Sequence, residues 1–372
     1  MRKISTLLML FCAFVGMAWA DTYNGVYTLQ VDENQQRGYV VAGEGFSEFP
    51  VLAEVTLGSY GDIDAEAIEN VYGIIDRNIG EEYRDWFTFA IAENTENDND
   101  YFVVGPDAAT GKILVTGNDG VSLASGLNYY LETYCNVQIA EQTSQVKMPA
   151  EIVPMDEAVR CETPYKIRYA FNYCTLNYTF SYADAEVFQR EYDWMALSGV
   201  NCVIDLAGQE AVWIKFLQNF GYTFDEAKDW IAGPSYYAWQ FMDNMEVVGG
   251  PVSDEWVVGR LEMARENQRF KNSLGMQTVF QGYAGMIPCN FADFQPEVEI
   301  LDQGQWCSLP RPDMIRTDGD LYDQYAELFY AAQEWAFGAT SDYYAVDPFH
   351  EGGNTGGMNS RDIAREVLTA ML

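Results

Sequence analysis

From residue 165 onward the chain runs through one cycle four times: a short apolar stretch, a polar cluster, then helical periodicity. The apolar stretches are KIRYAF (166–171), NCVIDL (201–206), MQTVF (276–280) and DYYAV (342–346). Runs this short, bounded by polar residues, read as buried strands. Between them, DAEVFQREYDWMALSG sets Phe188, Tyr192 and Met195 on one helical face and stops at Gly199. EAVWIKFLQNFG and TFDEAKDWI continue the helical period, and a further helix spans Ser253 to Gly275. DLYDQYAELFYAAQEWAFG offers Leu321, Tyr325, Leu328 and Ala332 as its buried face. Strands that alternate with helices call for a parallel sheet, and polar clusters directly after each strand call for a (β/α)₈ barrel, whose active sites lie at the strands' C-terminal ends. Four units make half a barrel. The last helix, SRDIAREVLTAML, ends on apolar residues, and half a barrel leaves a sheet edge bare, so the expected reading is the N-terminal part of a longer protein.

Ahead of this pattern lies a different organisation. The first twenty residues, MRKISTLLMLFCAFVGMAWA, carry Arg2 and Lys3, a short apolar core and Ala18-x-Ala20, which predicts a cleaved signal peptide and a secreted or periplasmic protein. Cys12 sits behind the bulky Phe11, a poor fit to a lipoprotein signal. Residues 21–150 read as a small α/β domain: DAEAIENVYGIIDRNIG places Ile68, Val71, Tyr72 and Ile75 on one face, and KILVTGNDGVSLASGLNYYLETYC reads as strand, turn and helix. The glycine-rich turn lacks the spacing of a phosphate loop, so it is read as a tight turn. Polar, proline-punctuated residues 151–164 are read as the linker, and residues 165–372 as the partial barrel. The predicted fold class is therefore α/β, a small N-terminal α/β domain followed by an incomplete TIM-type barrel.

Charge narrows the function. With 56 acidic against 21 basic residues the formal net charge is −35, a field that repels nucleic acid and anionic membranes and favours a neutral or cationic ligand. No segment after the first twenty residues is apolar enough to span a bilayer. Of seven cysteines, the six after Cys12 form no C-x-x-C pair, which indicates neither a zinc site nor a tight disulfide framework; pairing and oligomeric state are not legible. Nine Trp and 25 Tyr supply flat surfaces, most of them core by default, of the kind sugar sites also use.

The single histidine stands in AVDPFHEGGN (345–354), directly before Glu351. A His-Glu pair opens the H-E-x-x-H zinc motif, but position 354 is Asn, so no metal site is expected. Ser-His-Asp chemistry would rest on His350 alone, with Gly352 and Gly353 opening a loop after it. What remains is the carboxylate of Glu351.

Each strand end carries its own motif, and their order is specific: YCTLNYTFSYADAEVFQREYDWMALSGVN, LAGQEAVW, GPSYYAWQFM, FQGYAGMIP and YYAVDPFHEGG. Together they resemble glycoside hydrolase family 89, the α-N-acetylglucosaminidases, from the linker to the C-terminus. VTGNDGVSLASGLNYYLETYC is similar to that family's small N-terminal domain. The resemblance implies exo-hydrolysis of terminal α-linked N-acetylglucosamine with retention, by two glutamates and without cofactor. It implies Glu351 as the acid/base after the fourth strand. The nucleophile follows the seventh strand, beyond residue 372, so this chain alone is expected to be inactive. It further implies Asn172, Cys174, Trp239, Trp306 and His350 as pocket residues and a glycan with terminal N-acetylglucosamine as partner. Two carboxylates suffice because the glycosidic bond needs a proton on its leaving oxygen and an attack at the anomeric carbon; retaining enzymes hold the pair about 5–5.5 Å apart.

Plainer readings stand beside these. Cys174 is by type a small core residue, Trp239 and Trp306 core aromatics, and His350 a loop-positioning group. Glu210 opens a helix, where a carboxylate meets the macrodipole, and is read as structural. Asn177 begins the only glycosylation sequon. A non-catalytic glycan-binding protein is the alternative from another class. A β-hexosaminidase or an α-glucuronidase is the alternative within the enzymes, though neither the Asp-Glu pair of the first nor the basic pocket of the second is visible.

Overall fold

The computed structural model describes residues 63–319, 321–338 and 341–371, together with the backbone of β1 (Asp21–Tyr23), β2 (Tyr27–Val31) and β3 (Gly38–Ala42), a small antiparallel sheet. The signal-peptide reading of residues 1–20 lies outside the described residues.

Helix α1 (Ile63–Asn78) is followed by β4 (Phe87–Ile91), β5 (Asp100–Pro106) and β6 (Ile113–Gly117). Helix α2 (Gly120–Thr133) and, after a long connection, β7 (Val159–Thr163) complete the first lobe. Its sheet runs β4-β6-β5-β7, parallel between β4 and β6 and antiparallel elsewhere. The period-two alternation of ILVTG buries Ile113, Val115 and Gly117 on the side that α2 covers. Asp119 caps α2 by accepting from the Ser122 N–H at 2.7 Å, at the turn read from the glycines. On α1 the buried residues are Ala67, Val71, Ile74 and Ile75, with Ile68 and Tyr72 half-buried, so the predicted stripe is right in period and slightly rotated. Strand β7 lies inside the span read as linker. Its alternation of half-buried and exposed residues, VRCET, carries no apolar run, because it is an edge strand of this sheet.

The second lobe is built on a four-stranded parallel sheet in sequential order: β8 (Tyr169–Ala170), β9 (Cys202–Ile204), β10 (Gln277–Gln281) and β16 (Tyr343–Ala345). Its register is fixed by Tyr169 opposite Cys202, Gln277 opposite Cys202 and Val279 opposite Tyr343. All four predicted strands are therefore present, paired as a barrel wall is paired. Helices α3 (Tyr173–Tyr178) and α4 (Ala185–Leu197) fill the first crossover. The second holds α5 (Gln209–Gln218), α6 (Phe224–Trp230), α7 (Tyr237–Phe241) and α8 (Asp254–Ser273). Helix α9 (Tyr322–Phe337) leads into β16, and α10 (Ser360–Ala370) follows it. Between β10 and α9 the chain makes a three-stranded antiparallel sheet of β11 (Met286–Ile287), β12 (Ile300–Leu301) and β15 (Asp313–Ile315). A hairpin of β13 (Gln305–Trp306) and β14 (Leu309–Pro310) projects from the same insertion.

The core of this lobe is aromatic. Trp213 on α5 packs against Phe216, Trp230, Tyr283 and Phe329, and its indole N–H donates to Gln281 Oε1 at 2.9 Å, which satisfies the one polar atom such a burial would strand. That cluster turns α9: Tyr322, Tyr325, Ala326, Phe329 and Ala332 are buried, while Leu321 and Leu328 of the predicted face are half-buried. Gly208 allows α5 to start where it does, since it has φ 77° and an added Cβ would stand 2.8 Å from Ala264 Cβ on α8.

The two lobes meet through polar contacts of good geometry. Arg77 on α1 forms a two-pronged ion pair with the buried Asp193 on α4, at 2.8 Å for each bond, and Asn78 adds a third donor at 2.9 Å. The Val121 N–H donates to Leu274 O at 3.0 Å, at the close approach of α2 to the end of α8. No helix among the described residues is long and apolar enough to cross a membrane.

Candidate active site

The parallel register brings the C-terminal ends of four strands to one rim. The Tyr173 hydroxyl, just after β8, donates to Ala345 O of β16 at 2.7 Å. The Gly282 N–H, just after β10, donates to the same carbonyl at 2.8 Å. The first, third and fourth strand ends are thus tied at one atom, immediately before the DPFHEGG loop.

On that loop Asp347, His350 and Glu351 form a chain. Asp347 Oδ2 lies 2.5 Å from His350 Nδ1, and His350 Nε2 lies 3.6 Å from Glu351 Oε1. Trp306, from the β13–β14 hairpin 45 residues earlier, donates its indole N–H to Glu351 Oε2 at 2.6 Å. The Glu351 side chain remains 58% exposed, so a ligand can reach the carboxylate while both its oxygens have protein neighbours. The backbone is strained here: Phe349, Glu351 and Gly352 have φ of 58°, 51° and 95°. A bulky aromatic and a glutamate in the left-handed region cost free energy that surrounding contacts must hold, a pattern concentrated at functional sites. Those contacts include Arg311 Nη2 donating to His350 O at 2.7 Å and the Gly353 N–H donating to Phe349 O at 3.1 Å.

Of the residues expected in the pocket, the structure brings Trp306, His350 and Glu351 together. Asn172 and Cys174 lie at α3, just after β8, and Trp239 on α7, which packs against α3. Asn172 is the N-cap of α3, its Oδ1 accepting from the Thr175 N–H at 3.1 Å in a capping box. Cys174 is half-buried on the same helix. Trp239, half-buried on α7, meets the exposed Tyr178 edge to face, with centroids 5.3 Å apart. Glu210 is fully buried in the first turn of α5, with Arg260 Nε 3.9 Å away, and burial raises its carboxyl against the pull of that arginine. The six cysteines after Cys12 are all unpaired. Among the described residues no group of three or more His, Cys, Asp or Glu side chains is placed to hold a metal ion.

Sequence reasoning missed Tyr173, Asp243, Arg311 and Asp347. Asp347 was within the quoted motif and signalled by its i, i+3 spacing to His350. Asp243, in the largely apolar FMDNMEV, gave no sign of its setting. It is 5% exposed, and burial pushes its carboxyl up to about 8, with Arg311 pulling it down and Asp347 adding to the rise.

Asn177 is 7% exposed; its amide donates to Pro234 O at 3.2 Å and its Oδ1 accepts from the Ala238 N–H. A glycan on that amide has no room in the folded chain, because the side chain is buried. Folded protein from a glycosylating host is therefore expected to show the unmodified mass at this sequon; a stable glycosylated fraction would contradict the placement.

Comparison with known proteins decides the family. The model of the alpha-N-acetylglucosaminidase (NAGLU) TIM-barrel domain matches residues 168–372, and that of the N-terminal domain matches residues 69–155. The chain belongs to the alpha-N-acetylglucosaminidase family. It is 30% identical over 255 residues to human alpha-N-acetylglucosaminidase, covering 68% of this chain and 34% of the human protein. It is also similar to the family 89 glycoside hydrolase of Clostridium perfringens in complex with PUGNAc, at 40% identity and TM-score 0.79, over 82% of this chain and 35% of that one. A second structure of that hydrolase, with two glutamates replaced by glutamine and GlcNAc-alpha-1,4-galactose bound as substrate, matches with the same identity, TM-score and coverage. The chain spans about a third of the length of these relatives. Membership in the family accounts for both lobes: the N-terminal α/β domain and the partial barrel are those of the alpha-N-acetylglucosaminidases.

Proposed function

We propose that the chain supplies the N-terminal domain and the first four βα units of a retaining exo-α-N-acetylglucosaminidase, with Glu351 as the acid/base. The observation that carries this reading is the position of Glu351: past the C-terminal end of the fourth parallel strand, exposed, and held by Trp306 and His350. The Clostridium relative binds GlcNAc-alpha-1,4-galactose, which supports a glycan with terminal N-acetylglucosamine as substrate. Glu351 gives its proton to the leaving oxygen as a second carboxylate attacks the anomeric carbon, then takes a proton from the water that releases the sugar. Trp306 fixes the carboxylate's orientation, and the Asp347-His350 pair braces it from the other oxygen. Asn172, Cys174 and Trp239 line the sugar pocket from α3 and α7. The division into a small N-terminal domain from residue 21, which β7 carries on to residue 163, and a barrel from residue 165, with export by a cleaved signal peptide to the periplasm or medium, belongs to the same proposal.

The test uses this sequence extended to the length of its relatives. An aryl α-N-acetylglucosaminide should be hydrolysed, and the β-anomer and the α-glucoside left intact. Binding of N-acetylglucosamine without turnover of any of the three would favour a glycan-binding protein instead.

A further inference from the structure

The β13–β14 hairpin and the residues at its base hold the Glu351 loop at three places, and one of these is an amide side chain. The base is closed by the Arg311 N–H, which donates to Gly304 O at 3.1 Å, below the pairs Gln305–Pro310 and Trp306–Leu309. Trp306 reaches Glu351 from the hairpin itself, and Arg311 reaches the His350 carbonyl from the base. The third hold is Gln303, directly before Gly304 and 8% exposed. Its Oε1 accepts from the Asn354 N–H at 2.7 Å and its Nε2 donates to Asn354 O at 2.9 Å, so the side chain closes on one residue's main chain from both ends. Nε2 also donates to Leu301 O at 3.0 Å, and the Gln303 N–H donates to Asp313 Oδ1 at 3.0 Å.

The setting calls for an amide. Two carbonyls and one N–H face this side chain, and among uncharged side chains only asparagine and glutamine present two donors and an acceptor at one end. A carboxylate of the same shape would turn an acceptor toward Leu301 O and Asn354 O, in a segment that already holds Asp302 and Asp313. The close approach also constrains the loop: a Cβ on Gly353 would stand 2.8 Å from Gln303 Oε1 and 2.8 Å from Phe349 Cα, so a side chain there would force the two segments apart. The Gly353 N–H returns to Phe349 O, which encloses His350, Glu351 and Gly352 between that carbonyl and the clasped Asn354. Inside this turn Phe349 and Glu351 keep left-handed φ of 58° and 51°, conformations that persist only where outside contacts hold them.

We propose that Gln303 is a positioning residue for Glu351: its two bonds to Asn354 fix the strained loop against the hairpin, so that the Trp306 N–H and the Glu351 carboxylate meet. A hairpin this short has little stability of its own, so Trp306 stands where the hairpin's base is anchored. Without the amide, the Asn354 N–H and carbonyl lose their partners and the loop shifts against the hairpin. The Trp306 bond to Glu351 then opens, and proton delivery slows. The kinetic consequence rests on the acid/base reading of Glu351, while the clasp is tested by geometry alone, so the two fail separately.

The experiment is ¹H–¹⁵N NMR of the indole N–H groups in the 372-residue chain, with the Trp306 signal assigned by Trp306→Phe and its position without the carboxylate given by Glu351→Ala. Gln303→Met keeps the side chain's length and loses the amide. It should move the Trp306 signal most of the way to its Glu351→Ala position, while the signal of the buried Trp213 stays in place. Gln303→Glu keeps an acceptor for the Asn354 N–H but, near neutrality, has no donor, and should move the Trp306 signal in the same direction. In the sequence extended to the length of its relatives, Gln303→Met should lower kcat/KM on a natural α-N-acetylglucosaminide about 10–10²-fold and barely change it on the dinitrophenyl glycoside, a split that a general loss of structure would not produce. A Trp306 signal unmoved in Gln303→Met overturns the clasp, as does one unmoved in Gln303→Glu should the methionine variant fail to fold. Equal slowing of both substrates by Gln303→Met, where Glu351→Ala separates them, overturns the positioning role. No separation in Glu351→Ala would overturn the acid/base reading and the positioning role with it, leaving the clasp to the Trp306 signal.

Discussion

Replacement of Glu351 by alanine, in the sequence extended to the length of its relatives, is expected to slow hydrolysis of natural α-N-acetylglucosaminides by about 10²–10⁴-fold. The reason lies in the leaving oxygen, which departs as an alkoxide unless it is protonated. A substrate with a good leaving group, such as a dinitrophenyl glycoside, needs no proton. Its first step should be nearly unchanged, and turnover should then stall at the second step, where water has lost its base. The kcat/KM values, which report the first step, measure the split on both substrate types, and a burst of dinitrophenol marks the stalled second step. Equal slowing of the two would mean that Glu351 holds structure or substrate and does not transfer the proton.

The second large effect is on stability. Lys271 on α8 and Asp205, just past the end of β9, form an ion pair of 2.6 Å with side chains 0% and 1% exposed. The Tyr192 hydroxyl donates to the same carboxylate oxygen at 2.7 Å, and the Ala207 N–H donates to the other at 3.0 Å. Lys271→Met removes one charge and leaves the other buried, which is expected to cost about 3–5 kcal/mol. Urea unfolding measures it. Asp205→Asn combined with Lys271→Met should recover part of the loss, because no uncompensated charge remains; a double variant worse than Lys271→Met would contradict this account.

Acid should reveal the same pair. Burial by itself would raise the Asp205 carboxyl, but Lys271, Tyr192 and the Ala207 N–H outweigh burial and hold it below its ordinary value. A depressed carboxyl contributes stability that is full above the unfolded value of about 3.9 and lost as pH falls through the folded one. The unfolding free energy of the double variant, measured in urea from pH 7 down to pH 3, should therefore fall less steeply than that of the wild type.

The barrel wall was legible because its strands lie in short apolar runs, fully buried in β9, nearly so in β10 and partly covered in β8 and β16. KIRYAF, NCVIDL and DYYAV each contain the strand that forms, and MQTVF covers β10 except its last residue, Gln281. Edge strand β7 was not legible, since one face is wet and its pattern dissolves into a polar stretch. Helix α3 was read only as a strand-end motif; six residues are too few to show a helical period, and its start is marked by the Asn172 cap that also drew attention as a pocket residue. At the site, Glu351 and His350 were visible through local sequence. The Trp306 contact to Glu351 crosses 45 residues, and the Arg311 hold on the His350 carbonyl crosses 39. Such pairings are decided by the insertion between β10 and α9, which no local period encodes. The burial of Asp243, 5% exposed in a segment that holds the hairpin through Glu246 N–H and Pro310 O, stayed hidden because no one-dimensional pattern carries it.

The most direct measurement on the role of Glu351 is the anomeric configuration of the azide product. In Glu351→Ala, azide should restore turnover of the dinitrophenyl α-N-acetylglucosaminide by attacking the glycosyl-enzyme in place of activated water. Attack on an intermediate already inverted once returns the original configuration. Proton NMR of the product should therefore show the α-glycosyl azide. A β-glycosyl azide would mean a single displacement at the substrate itself, placing Glu351 as the nucleophile and contradicting its assignment as the acid/base.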